Sequence, residues 1–142
     1  MSGPAPPPGF EPHFRKSPLT DPWEPLYSRP TDAAVIIGLW AGAAHVNARG
    51  FVHGGLIAAL ADNAMGLSCA VRLGIEGGPV TVNLNLDYLG TAQQGQWLTV
   101  ETEYMKTGGT LSFAQAFVRA GGTECARANA TFRVVAKRPA TV

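Results

Sequence analysis

The sequence predicts an α+β fold in which one curved antiparallel sheet wraps around one long helix. A proline-free run dense in Ala, Leu and Met extends from Gly54 to about Leu73 and predicts a helix. Segments of alternating apolar and polar residues follow it and are typical of half-buried strands. Paired glycines at 108–109 and 121–122 predict tight turns between these strands. Strands joined by such short turns must be antiparallel.

Two predicted strands precede the helix and four follow it. Ala33–Trp40, rich in Val and Ile, predicts the first strand, with Ala44–Asn47 as its short partner. Glycines and a proline between 74 and 79 end the helix. The later strands are expected at Val80–Tyr88, Gln96–Lys106, Thr110–Ala120 and Cys125–Val135. Because the helix is apolar nearly all round, it must be enclosed by the sheet, which is the hot-dog architecture.

The first strand after the helix has a regular alternation that assigns its two faces. One face is expected to carry Val80, Val82, Leu84, Leu86 and Tyr88. The opposite face is expected to carry Thr81, Asn83, Asn85 and Asp87.

The chain of 142 residues has the length of one ordinary domain. We predict a Pro-rich, partly disordered extension at 1–30, a hot-dog domain at 31–136 and a tail at 137–142. Nine of the eleven prolines fall in the extension, which excludes a regular helix or central strand there. Met1–Gly9 is expected to be disordered, whereas residues 10–30 carry enough large apolar side chains to lie along the folded body.

Composition excludes several classes of function. The net charge is +1 and no Lys/Arg-rich stripe exists, so a nucleic-acid partner is not expected. The longest uncharged apolar stretch, Ala33–Ala44, is shorter than the roughly 20 residues that span a membrane. The start resembles no signal peptide, so we expect a cytoplasmic protein. Cys69 and Cys125 are expected to be buried free thiols, and the three histidines lack metal-ligand spacing.

Gly54 and Gly55 stand at the predicted start of the helix. The first N–H groups of a helix have no partner within it, and the helix dipole makes that end electropositive. Glycine lets a ligand approach this backbone closely, so the end could hold a carbonyl and stabilise the oxyanion that develops on it. The alternative, that the glycines only form a tight turn into the helix, stays open.

Asp62 is a carboxylate on an otherwise apolar helix. Its neighbours one turn away are Ala58, Ala59, Met65 and Gly66. Burying a carboxylate there is costly unless it has a function, which favours a site. The alternative is a solvated aspartate, or one bonded to Asn63.

The spacing of Gly54 and Asp62 has an architectural consequence. Eight helical positions correspond to about 12 Å, whereas reacting atoms must come within about 3.5 Å. If both residues act on one carbonyl, the aspartate must come from a second subunit whose helix lies antiparallel alongside. The site would then occur twice at a dimer interface.

These residues also resemble a known family. The pattern consists of Asn47, Gly50, His53, Gly54, Gly55 and Asp62. It is similar, over about residues 33–135, to the phenylacetyl-CoA thioesterase-like branch of the hot-dog superfamily. The resemblance implies hydrolysis of acyl-CoA without a metal or other cofactor, coenzyme A being part of the substrate. It also implies a homodimer or a dimer-of-dimers tetramer.

The resemblance further implies a role for each site residue. The Gly54 N–H would bind the thioester carbonyl, and Asp62 of the partner chain would act as nucleophile or general base. Asn47 would orient the water or the thioester, and Thr81 matches a hydroxyl residue in the strand after the helix. His53 would fix the loop or assist polarisation, or it only bonds backbone. Expected substrate-binding residues are Gly55, Met65 and Leu86.

Two other functions remain as alternatives. A non-catalytic acyl-CoA-binding hot-dog module would have almost the same sequence features. A hot-dog enoyl-CoA hydratase would pair a histidine with a carboxylate in a different local pattern, which the sequence lacks. A Ser-His-Asp hydrolase is not supported, because there is no GxSxG motif.

Overall fold

The computed structural model describes residues 3–135, which form one seven-stranded antiparallel sheet around one long helix. The strand order is β1-β2-β3-β5-β6-β7-β4. The elements are β1 Glu11–Pro12, β2 Tyr27–Pro30, β3 Val35–Trp40, α1 Gly54–Leu73, β4 Val80–Tyr88, β5 Trp97–Lys106, β6 Leu111–Ala120 and β7 Thr123–Arg133. The predicted hot-dog architecture is confirmed. The tail predicted at 137–142 lies outside the described residues.

The central helix α1 has the predicted bounds. It ends at Gly74, which adopts φ +65° and donates its N–H to the carbonyls of Ala70 and Val71. Glycine is favoured there because the left-handed conformation costs it nothing. By length and composition α1 could cross a membrane, since the mean hydropathy of its most apolar 18 residues is 1.4. However, 61% of that stretch is buried in the fold, as in a core helix.

The concave face of the sheet is lined by small side chains. Ala126, Ala128, Ala130 and Phe132 alternate along β7, and each is at most 3% exposed. Successive residues of a strand point to opposite faces, so these four lie on the helix side. The short alanines leave room for α1 to lie close to the sheet. Cys69 and Cys125 are free and buried, as predicted.

The short strand predicted at Ala44–Asn47 is wrong. The chain instead makes a 3₁₀ turn at Ala43–His45, followed by a single bridge between Val46 and Val52. The turn is closed by the His45 ring, whose Nδ1 accepts a hydrogen bond from the Gly42 N–H at 2.8 Å. This side-chain contact competes with strand pairing.

The face assignment at the start of β4 is also wrong. The pairing with β7 shifts between Thr81 and Asn83, so one extra residue, Val82, forms a β-bulge. Thr81 pairs with the buried Phe132 and therefore faces the helix. Val80 and Val82, expected to face inwards, are 54% and 59% exposed. The regular alternation holds only after the bulge.

Residues 10–26, called here the N-terminal segment, lie against the folded body as expected. The His13 N–H donates to the Leu26 carbonyl at 2.9 Å, and both residues are buried. Phe10 packs edge-on against Trp97 with 5.1 Å between ring centroids. β1 and β2 lie at one edge of the sheet, where prolines are tolerated. Because β2 pairs with β3, the sheet crosses the domain boundary predicted at residue 30.

Candidate active site

His53 caps the start of α1. Its ring Nδ1 accepts a hydrogen bond from the Gly55 N–H at 2.8 Å, and its backbone N–H donates to the His45 carbonyl at 2.9 Å. Nδ1 must carry a lone pair to accept, so the neutral ring has its proton on Nε2. The structure therefore places His53 as a residue that fixes the helix start. It also occupies the Gly55 N–H, one of the two glycine donors predicted for ligand binding.

Gly54 lies directly after this cap and against Tyr88. No hydrogen bond found among residues 3–135 uses the Gly54 N–H, whereas its carbonyl accepts from the Tyr88 hydroxyl at 2.6 Å. A Cβ at Gly54 would lie 3.2 Å from the Tyr88 ring, so only glycine fits without displacing that ring. The free N–H at the positive end of α1 is suited to a carbonyl oxygen.

Tyr88 was not predicted as a site residue. Burial raises the pKa of its phenol, which keeps it protonated and able to donate to Gly54. The signal for it was present in the alternation of β4, which places Tyr88 on the helix-facing side at the end of the strand. What the alternation could not show is that this end of β4 meets the start of α1.

Asn47 holds the loop that leads into α1. Its Oδ1 accepts hydrogen bonds from the N–H groups of Arg49 and Phe51 at 2.9 and 3.2 Å. Such a side-chain turn fixes the backbone of the loop locally. Asn47 thus shares a loop with the helix start, but its amide oxygen is committed to backbone and only its NH₂ group remains for a ligand.

Asp62 and Thr81 form the second half of the predicted site. The Thr81 hydroxyl donates to Asp62 Oδ1 at 2.7 Å. Asp62 is half-buried on α1, and Thr81 reaches it because the bulge in β4 turns it towards the helix. The bond orients the carboxylate and leaves its second oxygen for another partner.

The two halves of the predicted site lie apart within one chain. Gly54 contacts Tyr88 at the end of β4, and Asp62 contacts Thr81 at its start. Along α1 they are separated by eight positions, or about 12 Å. One chain therefore holds two incomplete arrangements, one at each end of the same strand.

A cavity of about 230 Å³ opens beside Asp62 and Thr81. Its apolar wall consists of Leu26, Ile37, Leu60, Leu67 and Phe132. Its other wall comes from the N-terminal segment and consists of His13, Arg15, Ser17 and Thr20. Sequence reasoning gave none of these four a role.

The predicted substrate-binding residues lie elsewhere. Met65 is completely buried in the core and is not among the residues that line this cavity. Leu86 is half-buried on β4 and packs against the core between the two halves of the site. In the described chain, residues 3–135, no group of three or more His, Cys, Asp or Glu side chains is placed to hold a metal ion.

Comparison with known proteins identifies the family. The sequence profile of the thioesterase superfamily matches residues 49–126, which include the helix start, Asp62 and Thr81. The chain belongs to the thioesterase superfamily. The expected enzyme class, a thioester hydrolase, is confirmed.

Two relatives are similar to this chain over different lengths. "Putative esterase PA0474" from Pseudomonas aeruginosa is 36% identical over 129 residues, covering 90% of this chain and 96% of that protein. Acyl-coenzyme A thioesterase 13 from Homo sapiens is 40% identical over 72 residues, covering 49% of each chain.

Several solved structures share the fold. A hypothetical thioesterase from Streptococcus pneumoniae, solved with coenzyme A, has a TM-score of 0.73 at 24% identity, covering 82% of this chain and 94% of that one. A mutant of the phenylacetic acid degradation protein PaaI from Thermus thermophilus has a TM-score of 0.69 at 21% identity, covering 83% and 100%. These structures confirm the predicted hot-dog fold, and the match to the thioesterase superfamily confirms the predicted family.

Proposed function

We propose that this thioesterase hydrolyses acyl-CoA to a free acid and coenzyme A at sites completed by a second copy of the chain. The observation that carries the proposal is the placement of Gly54 and Asp62 at opposite ends of one strand, β4. Each residue has the chemistry that one half of a thioester hydrolysis requires. Within one chain, Gly54 and Asp62 are too far apart to act on the same carbonyl.

β4 is suited to pair with its own copy. It is an edge strand of nine residues that pairs only with β7 within the described residues. Long unprotected edges are templates for pairing with another chain. Its exposed apolar residues include Val82 and Tyr88, at 59% and 53% exposure. Covering them on dimer formation would bury apolar surface.

Pairing about a two-fold axis would complete both sites. If two β4 strands pair antiparallel about Asn85, with Val82 bulged out of the pairing, Tyr88 of one strand lies opposite the partner's Thr81. Since Tyr88 contacts Gly54 and Thr81 contacts Asp62, this pairing brings Gly54 beside the partner's Asp62. A two-fold interface repeats the arrangement at the other end of the strand. We infer a homodimer, alone or within a dimer-of-dimers tetramer.

The reaction follows from these placements. The thioester carbonyl oxygen accepts a hydrogen bond from the Gly54 N–H, which stabilises the negative charge formed on attack. In the general-base route, Asp62 takes a proton from water, the hydroxide adds to the carbonyl carbon, and the C–S bond breaks. In the nucleophilic route, the Asp62 carboxylate adds, an anhydride forms, and water then cleaves it. In both routes the coenzyme A thiolate leaves with the C–S electron pair and takes up a proton.

The proposal is tested by following thiol release from a panel of acyl-CoAs with Asp62→Ala and Asp62→Asn. Activity is expected to disappear in both variants, with circular dichroism and oligomeric mass unchanged. Asp32→Asn is the matched control, since Asp32 is an exposed aspartate outside both β4 and α1. Tight acyl-CoA binding without turnover by the wild type would instead identify a binding module. Water addition to an enoyl-CoA would identify a hydratase.

The shared site has its own test in mixed dimers. Two inactive variants, Asp62→Asn and Gly54→Pro, are refolded together at equal concentration. A mixed dimer holds one intact site, so random pairing should restore about a quarter of wild-type activity. If each site lies within one chain, mixing restores nothing.

A further inference from the structure

The cavity beside Asp62 contains a buried histidine with unused hydrogen-bonding capacity. His13 is 4% exposed, and its ring lines the cavity. Its Nδ1 is buried without a hydrogen-bond partner, and among residues 3–135 it is the one buried side-chain nitrogen or oxygen in that condition. Buried polar atoms are normally paired, because losing water without gaining a partner is costly. An unpaired nitrogen in a side chain that lines a cavity points to a ligand.

His45 shows how a structural histidine is satisfied in the same fold. It is also buried, but its Nδ1 accepts from the Gly42 N–H and its Nε2 donates to the Trp23 carbonyl, each at 2.8 Å. Among residues 3–135, His13 has only a backbone hydrogen bond, from its backbone N–H to the Leu26 carbonyl, and a ring contact with Phe14. The backbone of His13 is fixed while its ring is left without a polar partner.

The other polar groups on this cavity wall differ from the His13 ring, because they are either hydrogen-bonded or exposed. The hydroxyls of Ser17 and Thr20 lie 3.0 Å apart and hydrogen-bond each other. Arg15 is exposed rather than enclosed. Lys16, next along the segment, is paired with Glu24 at 3.0 Å. His13 is therefore the buried group of the segment that remains available for recognition.

The charge state of His13 limits what it can recognise. Burial lowers the pKa of the ring, an effect that Arg15 and Lys16 reinforce and Glu24 opposes. A neutral imidazole has one donor and one acceptor nitrogen, and rotation of the ring about its χ2 bond is soft. It can turn either nitrogen to a neutral group such as a hydroxyl. A buried carboxylate would lack an enclosed cation as its partner.

We propose that this cavity is the acyl pocket and that His13 is a specificity-determining residue which hydrogen-bonds a hydroxyl at the far end of the acyl group. The proposal rests on the proposed function, because Asp62 and Thr81 line the same cavity and place the carbonyl carbon beside them. A cavity of about 150 Å³ holds benzene, so one of about 230 Å³ takes an acyl group of roughly six to eight carbons. The apolar wall would contact the carbons and His13 the hydroxyl.

The test compares matched substrates that differ by one hydroxyl. Wild type, His13→Phe and His13→Gln are assayed with hexanoyl-CoA and octanoyl-CoA and with their ω-hydroxy counterparts. Wild type is expected to prefer the hydroxylated substrate at one length by about tenfold or more in kcat/KM, because the buried ring is otherwise unpaired. His13→Phe should abolish the preference and His13→Gln retain part of it. Leu19→Ala, a change in an exposed residue of the same segment that does not line the cavity, should leave the preference intact.

A binding measurement keeps the test decisive if the Phe variant does not fold. In wild type, 6-hydroxyhexanoate or 8-hydroxyoctanoate should shift the ring ¹⁵N resonances of His13, and the unsubstituted acid of equal length should not. Equal shifts with both acids, or none, would overturn the role of His13.

A failure of the role proposed for His13 can be distinguished from a failure of the proposed thioesterase function. If wild type hydrolyses both members of each pair equally and His13→Phe lowers both together, the specificity role is wrong while the thioesterase function stands. If adipoyl-CoA is preferred and Arg15→Gln removes that preference, the pocket recognises a carboxylate and the hydroxyl is excluded. If no acyl-CoA releases thiol, the proposed function itself fails.

Discussion

The Thr81 hydroxyl donates to Asp62 Oδ1 across 2.7 Å and joins the start of β4 to the middle of α1. A bulge at Val82 makes this contact possible, because a strand that paired Val82 regularly would turn Thr81 away from the helix. With one oxygen held by Thr81, the carboxylate can direct its second oxygen at water or substrate. The orientation of the proposed catalytic group therefore depends on a residue of the sheet.

Thr81→Val is expected to lower kcat/KM by about 10- to 100-fold, because an unoriented carboxylate attacks less often from the productive position. Thr81→Ser keeps the hydroxyl and should retain most of the activity. Thermal unfolding should change only modestly, since an exposed hydrogen bond to a carboxylate contributes about 1–2 kcal/mol. Thr131→Val, on β7 beside Asn83, is the control. A Val variant as active as the Ser variant would contradict the positioning role.

Gly54→Pro is expected to lower kcat by about 10²- to 10³-fold, the usual effect of losing one oxyanion donor. Proline removes the N–H, yet it is well tolerated at the first helical position. His53, with φ −64° and ψ 131°, already has the conformation that a following proline requires. Gly54→Ala makes the same close approach to Tyr88 but keeps the N–H, so it is the matched control. Equal losses in the two variants would attribute the effect to the contact with Tyr88 instead.

The stability of the protein should fall at alkaline pH through Tyr88. Burial raises the pKa of its phenol above the ordinary value of 10.0, so the folded protein keeps a proton that the unfolded chain releases. Above about pH 10 the free energy of unfolding therefore decreases as pH rises. Melting temperatures of wild type and Tyr88→Phe between pH 8.5 and 11 check this. The difference in melting temperature between wild type and Tyr88→Phe should decrease as pH rises. A constant difference would show that ionisation of Tyr88 does not contribute to the loss of stability.

The stability should also fall at mildly acidic pH through His13. Burial lowers its pKa below the ordinary value of 6.5, so the unfolded chain binds a proton before the folded protein does. This penalty is absent above about pH 6.5 and grows as pH falls towards the pKa of the folded state. The drop in melting temperature between pH 7.5 and 5 should be smaller in His13→Phe. An identical drop in both proteins would show that His13 does not titrate in this way.

Sequence reasoning succeeded where local pattern determines structure. The bounds of α1 follow from its composition and from Gly74, and the turns at 108–109 and 121–122 separate strands close to where they were predicted. The separation of Gly54 and Asp62 followed from helix geometry alone. Each of these depends on residues within one element or one turn of the chain.

The same reasoning failed where distant segments meet. A bulge is defined by the partner strand, so the alternation in β4 could not reveal that Thr81 faces inwards. The isolation of His13 depends on its packing beside Leu26 and the cavity. The contact of Tyr88 with Gly54 joins residues 34 positions apart. None of these arrangements has a periodic signature.

The bulge in β4 has a consequence for how this protein tolerates changes in chain length. Thr81 faces the helix because Val82 is accommodated outside the pairing with β7. If Val82 were deleted, Thr81 would directly precede Asn83 in a regular strand, and the alternation would still turn Thr81 towards the helix. Deletion of Val82 should therefore leave the Thr81 side chain in position to contact Asp62. In a regularly paired strand, the same deletion would move every residue on one side of it to the opposite face.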